Sequence, residues 1–299
     1  MVKKIIAGFF FFFLLYGCST EYVPRYFFVK YKRKLDFSNP IVLDEKIQWM
    51  KFNLYTDNQL ITQCVDKYAV RKYVAKCGCE EILNELYAAY DTVDEIQWDK
   101  LPDQFVIKWN FGCGQNLICR DKSKLDIEKT KKLLRKWRKA HKYFYLGYVE
   151  MQYKNIIPKL ICEKLIETED NSLPIDYKLY CFNGEAKYLM MCVGRGQYSH
   201  PKLYFVNSNC ELERLNITGI NAPEDLVILK PDGFEKLFYY ADALSKPFPF
   251  VRADFYLEKG KVIFGELTFT PSGGLDTNIP YEQNKFLGSL VNLSYRGNN

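Results

Sequence analysis

The stretch VRADFYLEKGKVIFGELTFTPSGG, residues 251–274, places charged side chains in strands whose other residues are mostly apolar and typical of a buried sheet. Its alternation of apolar and polar residues about a glycine predicts a β-hairpin. With Gly260 at the centre of an odd-length turn, three pairs of residues face each other on one side of the ribbon: Asp254 with Glu266, Arg252 with Thr268, and Tyr256 with Phe264. The other side is then entirely apolar, so burial selects this register over one shifted by a residue.

Two facing carboxylates repel each other, because opposed Cβ atoms in such a pair lie about 4.5 to 5.5 Å apart. Arg252 could neutralise them in a salt bridge, one carboxyl could hold a proton, or a divalent cation could lie between them. For an isolated pair the salt bridge is preferred. Here TPSGG follows, a turn of small residues that a phosphate could approach. Magnesium held by one or two carboxylates usually takes substrate phosphates as further ligands, so the pattern indicates a nucleotide site.

Three lysines fit the same hypothesis. Lys108 precedes NFGCGQN, in which Gly112 and Gly114 would let backbone N–H groups cover a phosphate. Lys178 is an isolated charge in the aromatic-rich strand DYKLYCF, and Lys67 lies in DKYAVRKYV. The alternative for Lys178 is a residue that simply faces solvent.

The composition narrows the class of protein. A chain of 299 residues, 48% hydrophobic and 26% charged, is typical of a folded globular protein. The net charge of +6 is mild and predicts no nucleic-acid partner. Ten cysteines without a CxxC pair, beside only two histidines, argue against a zinc site, and thiols in apolar runs favour a reducing compartment. Neither GxGxxG nor a P-loop motif occurs.

Helical and strand patterns alternate along the chain. Helices are predicted over four segments: 42–54, 62–78, 126–144 and 232–246. The last of these turns four apolar residues toward a core: Phe234, Leu237, Ala241 and Leu244. Strands are predicted after Pro102, within 158–167 and, as an edge strand, over 202–206, and the Asn183-Gly184 dipeptide indicates a hairpin. These patterns predict an α+β fold with mainly antiparallel strands.

The predicted helix DIEKTKKLLRKWRKAHKYF, residues 126–144, is strongly basic. It carries an apolar side with Leu133, Leu134, Trp137 and Ala140, opposite a belt of lysines and arginines. The belt could bind an anionic lipid or polysaccharide, or it could be an ordinary solvated helix face. The second interpretation is favoured, because such belts are common on soluble helices.

The first twenty residues, MVKKIIAGFFFFFLLYGCST, have a basic start followed by an apolar run that ends at Gly17-Cys18. This is the layout of a secretory signal with a lipoprotein-like cleavage site. The alternative is a hydrophobic helix that packs on the domain or rests on a membrane surface, since the run is short for a spanning helix. The unpaired cysteines favour the cytoplasm, so we expect the segment to lie at the inner membrane face; lipid attachment at Cys18 is the alternative.

Successive blocks of the chain resemble a known family. The blocks are EKIQWMK, DKYAVRKYV, LPDQFVIKWNFGCGQN, ICEKLIE, DYKLYCFNGE and PFPFVRADFYLEKGKVIFGELTFTPSGGL. In this order, from about residue 40 to residue 288, they are similar to the TupA-like ATP-grasp proteins, named after teichuronopeptide biosynthesis. The last block is the most specific.

The resemblance implies an ATP-grasp fold, in which two α+β subdomains close on Mg-ATP. It implies metal ligation by Asp254 and Glu266, with Thr268 where many ATP-grasp enzymes have asparagine. It implies nucleotide contacts from Lys108, Glu163, Lys164, Leu165 and Lys178, and the residues themselves add Lys67, Gly112 and Gly114 to the predicted nucleotide site. Of these, residues 163–165 would be the hinge that reads adenine, while Lys178 and Arg252 would neutralise phosphate charge during catalysis.

The resemblance also implies a domain organisation and an activity. We expect a hydrophobic segment at 1–20, a helical region at 36–103, a lid at 104–175 and a core subdomain with the metal site at 176–290. The expected activity joins a carboxylate to an amine through an acyl phosphate, using ATP and Mg²⁺, on small-molecule or polymer substrates of cell-surface polysaccharide or teichuronopeptide synthesis. The short region before the lid leaves the acceptor open. The alternatives are a capsular glycosyltransferase, although a DxD segment is missing, and a non-catalytic scaffold.

Overall fold

A computed structural model describes the chain over these residues: 19–147, 149–166, 168, 174–193 and 202–297. Within them, helices surround two antiparallel β-sheets, which confirms the predicted α+β class and the antiparallel pairing. Most of the amino-terminal hydrophobic segment, residues 1–18, lies outside the described residues.

The smaller sheet has four strands: β1 Leu86–Tyr90, β2 Phe105–Trp109, β3 Asn116–Cys119 and β4 Leu160–Glu163. Their order across the sheet is β1-β4-β2-β3. The central strands β2 and β4 are the two that the sequence predicts after Pro102 and within 158–167. In β4 every residue is buried, which explains its unbroken apolar run up to Glu163. β1 adds a strand to the region 36–103, which was expected to be helical.

The larger sheet has six strands: β5 Tyr177–Phe182, β6 Glu185–Val193, β7 Lys202–Val206, β8 Leu212–Glu213, β9 Phe250–Glu258 and β10 Lys261–Thr268. Their order is β10-β9-β5-β6-β7-β8. β5 and β6 meet at Asn183-Gly184, whose φ angles of 51° and 81° are those of the predicted two-residue turn. The expectation that 202–206 forms an edge strand is wrong, because β8 pairs with its outer side.

The helices are α1 Ser19–Tyr31, α2 Leu43–Met50, α3 Gln59–Val65, α4 Val70–Lys76, α5 Ile127–Lys139, α6 His141–Gly147, α7 Ile217–Ile220, α8 Phe234–Ser245 and α9 Tyr281–Ser289. α8 contacts β5, β6 and β9. Its four predicted core residues, Phe234, Leu237, Ala241 and Leu244, are all fully buried. The core of the larger sheet therefore forms where the helical period places it.

Two predicted helices are interrupted. The single helix over 62–78 is wrong, because the chain leaves α3 at Asp66 before α4 begins. The Asp66 carboxylate accepts hydrogen bonds from the backbone N–H groups of Tyr68 and Ala69, at 2.8 and 3.0 Å, which stabilises a turn between α3 and α4 instead of continuing α3. The basic helix likewise ends at Lys139, and α6 is a separate helix. After α2, residues Lys51–Tyr55 continue as one π-helical turn.

The cysteines are free thiols wherever the structure describes their side chains. Six of these eight are buried: Cys64, Cys79, Cys119, Cys162, Cys181 and Cys210. They behave as small core residues, in agreement with the apolar runs in which they lie. In the described part of the chain, no helix has both the length and the apolar character needed to cross a membrane.

Candidate functional site

A row of charged residues crosses three strands of the larger sheet. Asp254 on β9 lies directly opposite Glu266 on β10, as the sequence predicts, and its neighbour on the other side is Lys178 on β5. Arg252 faces Thr268 in the next row, which is also as predicted. Residues opposed across an antiparallel pair share one face, so all five polar side chains belong to the same side of the sheet.

The turn that produces this register differs from the expected one. Two residues, Lys259 and Gly260, connect β9 to β10, with φ angles of 51° and 74° typical of a type I′ turn. The prediction of an odd-length turn is therefore wrong. The pairing of Tyr256 with Phe264 is wrong for the same reason, because Tyr256 lies opposite Ile263.

A β-bulge at Gly265 restores the predicted alignment of the acids. The pairing shifts by one residue between Phe264 and Glu266, so the extra residue compensates for the even turn. A Cβ atom on Gly265 would lie 2.8 Å from the backbone oxygen of Asp254 and 3.2 Å from the ring of Tyr256. Only glycine allows the strands this close an approach, and the bulge thereby sets Glu266 against Asp254.

Asp254 is held by two cations. Nε and Nη2 of Arg252 donate to its two carboxylate oxygens at 2.7 and 2.6 Å, a bidentate pair within one strand. Nζ of Lys178 donates to Oδ2 at 3.2 Å and lies 3.3 Å from the carboxylate of Asp176. The side chain of Asp254 is 8% exposed and that of Arg252 is 12% exposed, so solvent screens this pair little.

Glu266 has a different set of partners. Its Oε2 lies 3.3 Å from Nζ of Lys67, and its Oε1 accepts a hydrogen bond from the hydroxyl of Thr268 at 3.2 Å. Burial acts to raise the pKa of Glu266, but the charges of Lys67, Arg252 and Lys178 outweigh it and lower the pKa to about 2. The carboxylate is thus ionised at neutral pH. Its side chain is 38% exposed and remains accessible to a ligand.

The structure therefore favours neighbouring cations over protonation as the means of relieving the repulsion between the carboxylates of Asp254 and Glu266. Arg252 and Lys178 neutralise Asp254, and Lys67 neutralises Glu266. The oxygen donors Asp254, Glu266 and Thr268 also suit Mg²⁺, a hard cation that takes one or two carboxylates. In the described part of the chain, no three His, Cys, Asp or Glu residues come together as a metal site. A metal ion here would accordingly need phosphate or water as further ligands.

The glycine loop after β2 approaches the acidic pair through Lys67. Besides facing Glu266, Nζ of Lys67 donates to the carbonyl of Gly112 at 2.8 Å, and its backbone N–H donates to the carbonyl of Asn110 at 2.9 Å. Gly112 and Gly114 have φ angles of 83° and 70°, which glycine adopts without strain. The loop from the smaller sheet and the acids of the larger sheet therefore share one lysine.

Lys108 and the predicted hinge lie together at a different place. Nζ of Lys108 forms an ion pair with Glu163 at 2.7 Å, and Arg71 lies 3.4 Å from the same carboxylate. The backbone of Lys164 is also engaged, because its N–H donates to the carbonyl of Glu85 and its carbonyl accepts from the amide of Asn84. The sequence predicted Lys108 and Glu163 as site residues, and the structure brings them into contact with each other.

A cavity of about 140 Å³ lies beside this hinge. Its lining includes Lys164 and Leu165 from the hinge, and Glu258, Lys261 and Ile263 from the turn end of the β9–β10 hairpin. Pairing across the hairpin places these last three on the same face as Asp254 and Glu266. The cavity and the acidic pair are therefore two points along one face of the hairpin.

A second buried polar cluster was missed by sequence reasoning. Nζ of Lys51 donates to the carbonyl of Gly273 at 2.6 Å, and Glu150 accepts a hydrogen bond from the hydroxyl of Thr270. Lys51 is 3% exposed and Glu150 7%. Burial is the largest cause of the pKa shift of both groups. It lowers the pKa of Lys51 to about 8 and raises the pKa of Glu150. The signal in the sequence was slight: Lys51 is a lone charge in the apolar stretch IQWMKFNL.

The cluster holds the TPSGG turn after β10 against α2. Three successive residues of this turn, Ser272, Gly273 and Gly274, have positive φ angles of 52°, 68° and 73°. A Cβ atom on Gly274 would lie 2.7 Å from the side chains of Ile47 and Gln48. The small residues that suggested access for a ligand are thus also required for close packing on α2.

A family model described as TupA-like ATPgrasp matches residues 45–292. No curated protein matches the sequence.

Several solved structures resemble the fold. D-alanine–D-alanine ligase from Bacillus anthracis, complexed with ATP, is 14% identical, with a TM-score of 0.47, over 77% of this chain and 65% of the ligase. D-cycloserine synthetase DcsG is 14% identical, with a TM-score of 0.43, over 77% of this chain and 70% of its own. Phosphoribosylamine–glycine ligase from Thermotoga maritima is 13% identical, with a TM-score of 0.41, over 69% of this chain and 48% of that ligase. The chain thus spans less than two thirds of the Bacillus anthracis ligase.

Proposed function

The chain belongs to the TupA-like ATP-grasp family, and we propose that it is an ATP-dependent ligase that joins a carboxylate to an amine through an acyl phosphate. The observation that carries the proposal is the facing pair Asp254 and Glu266, which lies among the cations Lys67, Lys178 and Arg252. A purely structural sheet would gain nothing from opposed carboxylates at this position, because like charges directly opposite each other are destabilising.

The nucleotide would lie along the face of the hairpin that carries both the acids and the cavity. Glu258 lies four positions after Asp254 on the same strand, or about 13 Å at the usual rise of a strand, which suits an extended nucleoside triphosphate. The base would enter the cavity at Lys164 and Leu165. The carbonyl of Lys164 accepts one hydrogen bond from Asn84 and keeps a second lone pair for an amino group of the base.

The charge balance explains why a metal is expected. Three cations, Lys67, Lys178 and Arg252, face the three carboxylates of Asp176, Asp254 and Glu266. The cluster is therefore close to neutral and could not by itself offset a triphosphate. Asp254, Glu266 and Thr268 would hold Mg²⁺, which when bound supplies positive charge to the phosphates.

The side chains of the site would stabilise the charge of the reacting groups and hold these groups in position. When the substrate carboxylate attacks the γ-phosphorus of ATP, the bond to the β-phosphate oxygen breaks, and an acyl phosphate and ADP form. The amine then attacks the acyl carbon, phosphate leaves, and an amide results. Lys67, Lys178 and Arg252 would stabilise the negative charge on the transferred group, and Lys108 would contribute from the hinge side. A protein nucleophile is not required.

We place this activity in cell-surface polymer synthesis, with an amino acid joined to a uronic acid or to a polyglutamate chain. Support comes from the family, whose name refers to teichuronopeptide formation. The hydrophobic run before Cys18 would keep the protein at the inner face of the membrane, close to lipid-linked precursors. We expect 104–175 to act as the lid and 176–290 as the core subdomain, and we expect no nucleic-acid partner.

The full chain with Mg²⁺, ATP, glucuronate and glutamate tests the proposal. Hydroxylamine in place of the amine should give a hydroxamate together with ADP, because it captures an acyl phosphate. Glu266→Gln should lower this rate roughly 100-fold or more, as expected when a preorganised electrostatic group is lost. Glu224→Gln, at an exposed position, is the matched control and should leave the rate unchanged.

Three outcomes would contradict the proposal. ADP formation that is equally fast in Glu266→Gln would mean that the acidic pair is not the site. Release of UDP from UDP-sugars, without ADP formation from any carboxylate tested, would instead identify a glycosyltransferase. Absence of ATP binding by the full chain would favour the scaffold.

A further inference from the structure

Helix α1 carries an exposed stripe that the fold does not use. Arg25, Phe28 and Val29 follow one another at the spacing of one helix face, Lys32 comes directly after the last residue of the helix, and all four are exposed. The apolar pair at its centre is open to solvent, with Phe28 49% and Val29 60% exposed. Large apolar side chains that adjoin each other on an exposed helix face, between basic residues, are typical of an interaction surface.

The opposite face of α1 fixes the helix to the protein. Tyr22 and Val23 are buried and pack with Val149, and Phe27 is fully buried. At the end of the helix, the hydroxyl of Tyr31 donates to Asp44. The helix is thus attached through one side, and its outer stripe is presented in a fixed orientation.

The charge around the stripe has a single sign. Five basic residues lie within ten positions: Arg25, Lys30, Lys32, Arg33 and Lys34. No acidic residue occurs between Glu21 and Asp36. Arg33 is engaged with Glu45, whereas Lys30, Lys32 and Lys34 are exposed. The stripe begins nine positions after the apolar run that ends at residue 16.

We propose that the outer stripe of α1 docks on the anionic surface of a lipid bilayer, with the helix lying in the plane of the interface. Phe28 and Val29 enter the boundary between headgroups and acyl chains, and the lysines bind anionic headgroups. A helix of 13 residues is about 20 Å long, too short for the roughly 30 Å hydrocarbon core, so it lies on the membrane and does not cross it.

The basic helix α5 differs from α1 in having exposed lysines without an exposed apolar pair. Lys132, Lys136 and Lys139 are also exposed, but none of the large apolar residues of α5 is exposed, and Leu134 is fully buried. α5 therefore has charge without an apolar pair to insert, in agreement with a solvated face. It supplies a control that removes the same charge from another part of the same protein.

Vesicle flotation of the full chain tests the proposal, with phosphatidylcholine alone and with an equimolar mixture of phosphatidylcholine and phosphatidylglycerol. The α1 variant Lys30→Gln/Lys32→Gln/Lys34→Gln should lower partitioning onto the anionic vesicles by on the order of 100-fold, about fivefold per lysine. The α5 variant Lys132→Gln/Lys136→Gln/Lys139→Gln should have a much smaller effect. Because residues 1–18 are the same in both, their contribution cancels in the comparison.

A second variant tests the apolar pair. Phe28→Ser/Val29→Ser should weaken binding to both kinds of vesicle, and circular dichroism should be unchanged because both side chains are exposed. Equal losses from the α1 and α5 lysine variants, or no preference of the parent protein for anionic vesicles, would overturn the proposal. The assay contains neither ATP nor substrate, so its outcome is independent of the proposed ligase activity.

Discussion

Lys51 provides a test of the buried cluster through the pH dependence of stability. The residue is 3% exposed, and burial lowers its pKa from 10.5 to about 8, although Glu150 and Asp44 act in the opposite direction. Between pH 8 and 10.5 the unfolded chain therefore retains a proton that the folded protein has lost. The free energy of unfolding should rise with pH across this window, by up to about 1.4 kcal/mol per pH unit.

Lys51→Met removes this titration. The free energy of unfolding of the parent protein, minus that of the variant, should be constant below pH 8 and should grow by about 3 kcal/mol toward pH 10.5. Urea denaturation at a series of pH values measures it. Lys132→Met, at an exposed position, is the control for the loss of one lysine. A difference that stays flat from pH 7 to pH 10.5, or shrinks, would refute the assignment of a lowered pKa to a buried Lys51.

Two further predictions concern the charged row. Gly265→Ala should destabilise the protein by about 1 to 3 kcal/mol, because its Cβ would lie 2.8 Å from the backbone oxygen of Asp254. A thermal transition unchanged from that of the parent would show that the bulge tolerates a side chain. Arg252→Met should cost about 3 to 5 kcal/mol in urea denaturation, because it removes both short hydrogen bonds to a buried carboxylate. Lys178→Met should cost less, since its one hydrogen bond to Asp254 is longer, and a larger loss for Lys178→Met would contradict this ranking.

The elements predicted best are those whose pattern is local and repeated. α8 buries the four residues that its helical period selects, and Asn183-Gly184 forms the expected turn. The single helix over 62–78 failed because the side chain of Asp66 forms a turn with the backbone of Tyr68 and Ala69 where the apolar period continues. Such a side chain to backbone interaction competes with helix propagation, and the apolar periodicity does not reveal it.

The sequence alone determined that Asp254 and Glu266 share a face, because alternation within each strand and burial of the apolar side select the register in which these two residues oppose each other. It did not determine how the chain reaches that register, since an even turn with a bulge aligns the acids as well as an odd turn would. Only the tertiary structure decided which cations meet which acid. Lys67 and Lys178 arrive from distant parts of the chain, and Lys51 is buried beneath a turn more than two hundred residues away in sequence. Their proximity depends on how helices and sheets pack, and packing brings together residues that no local pattern relates.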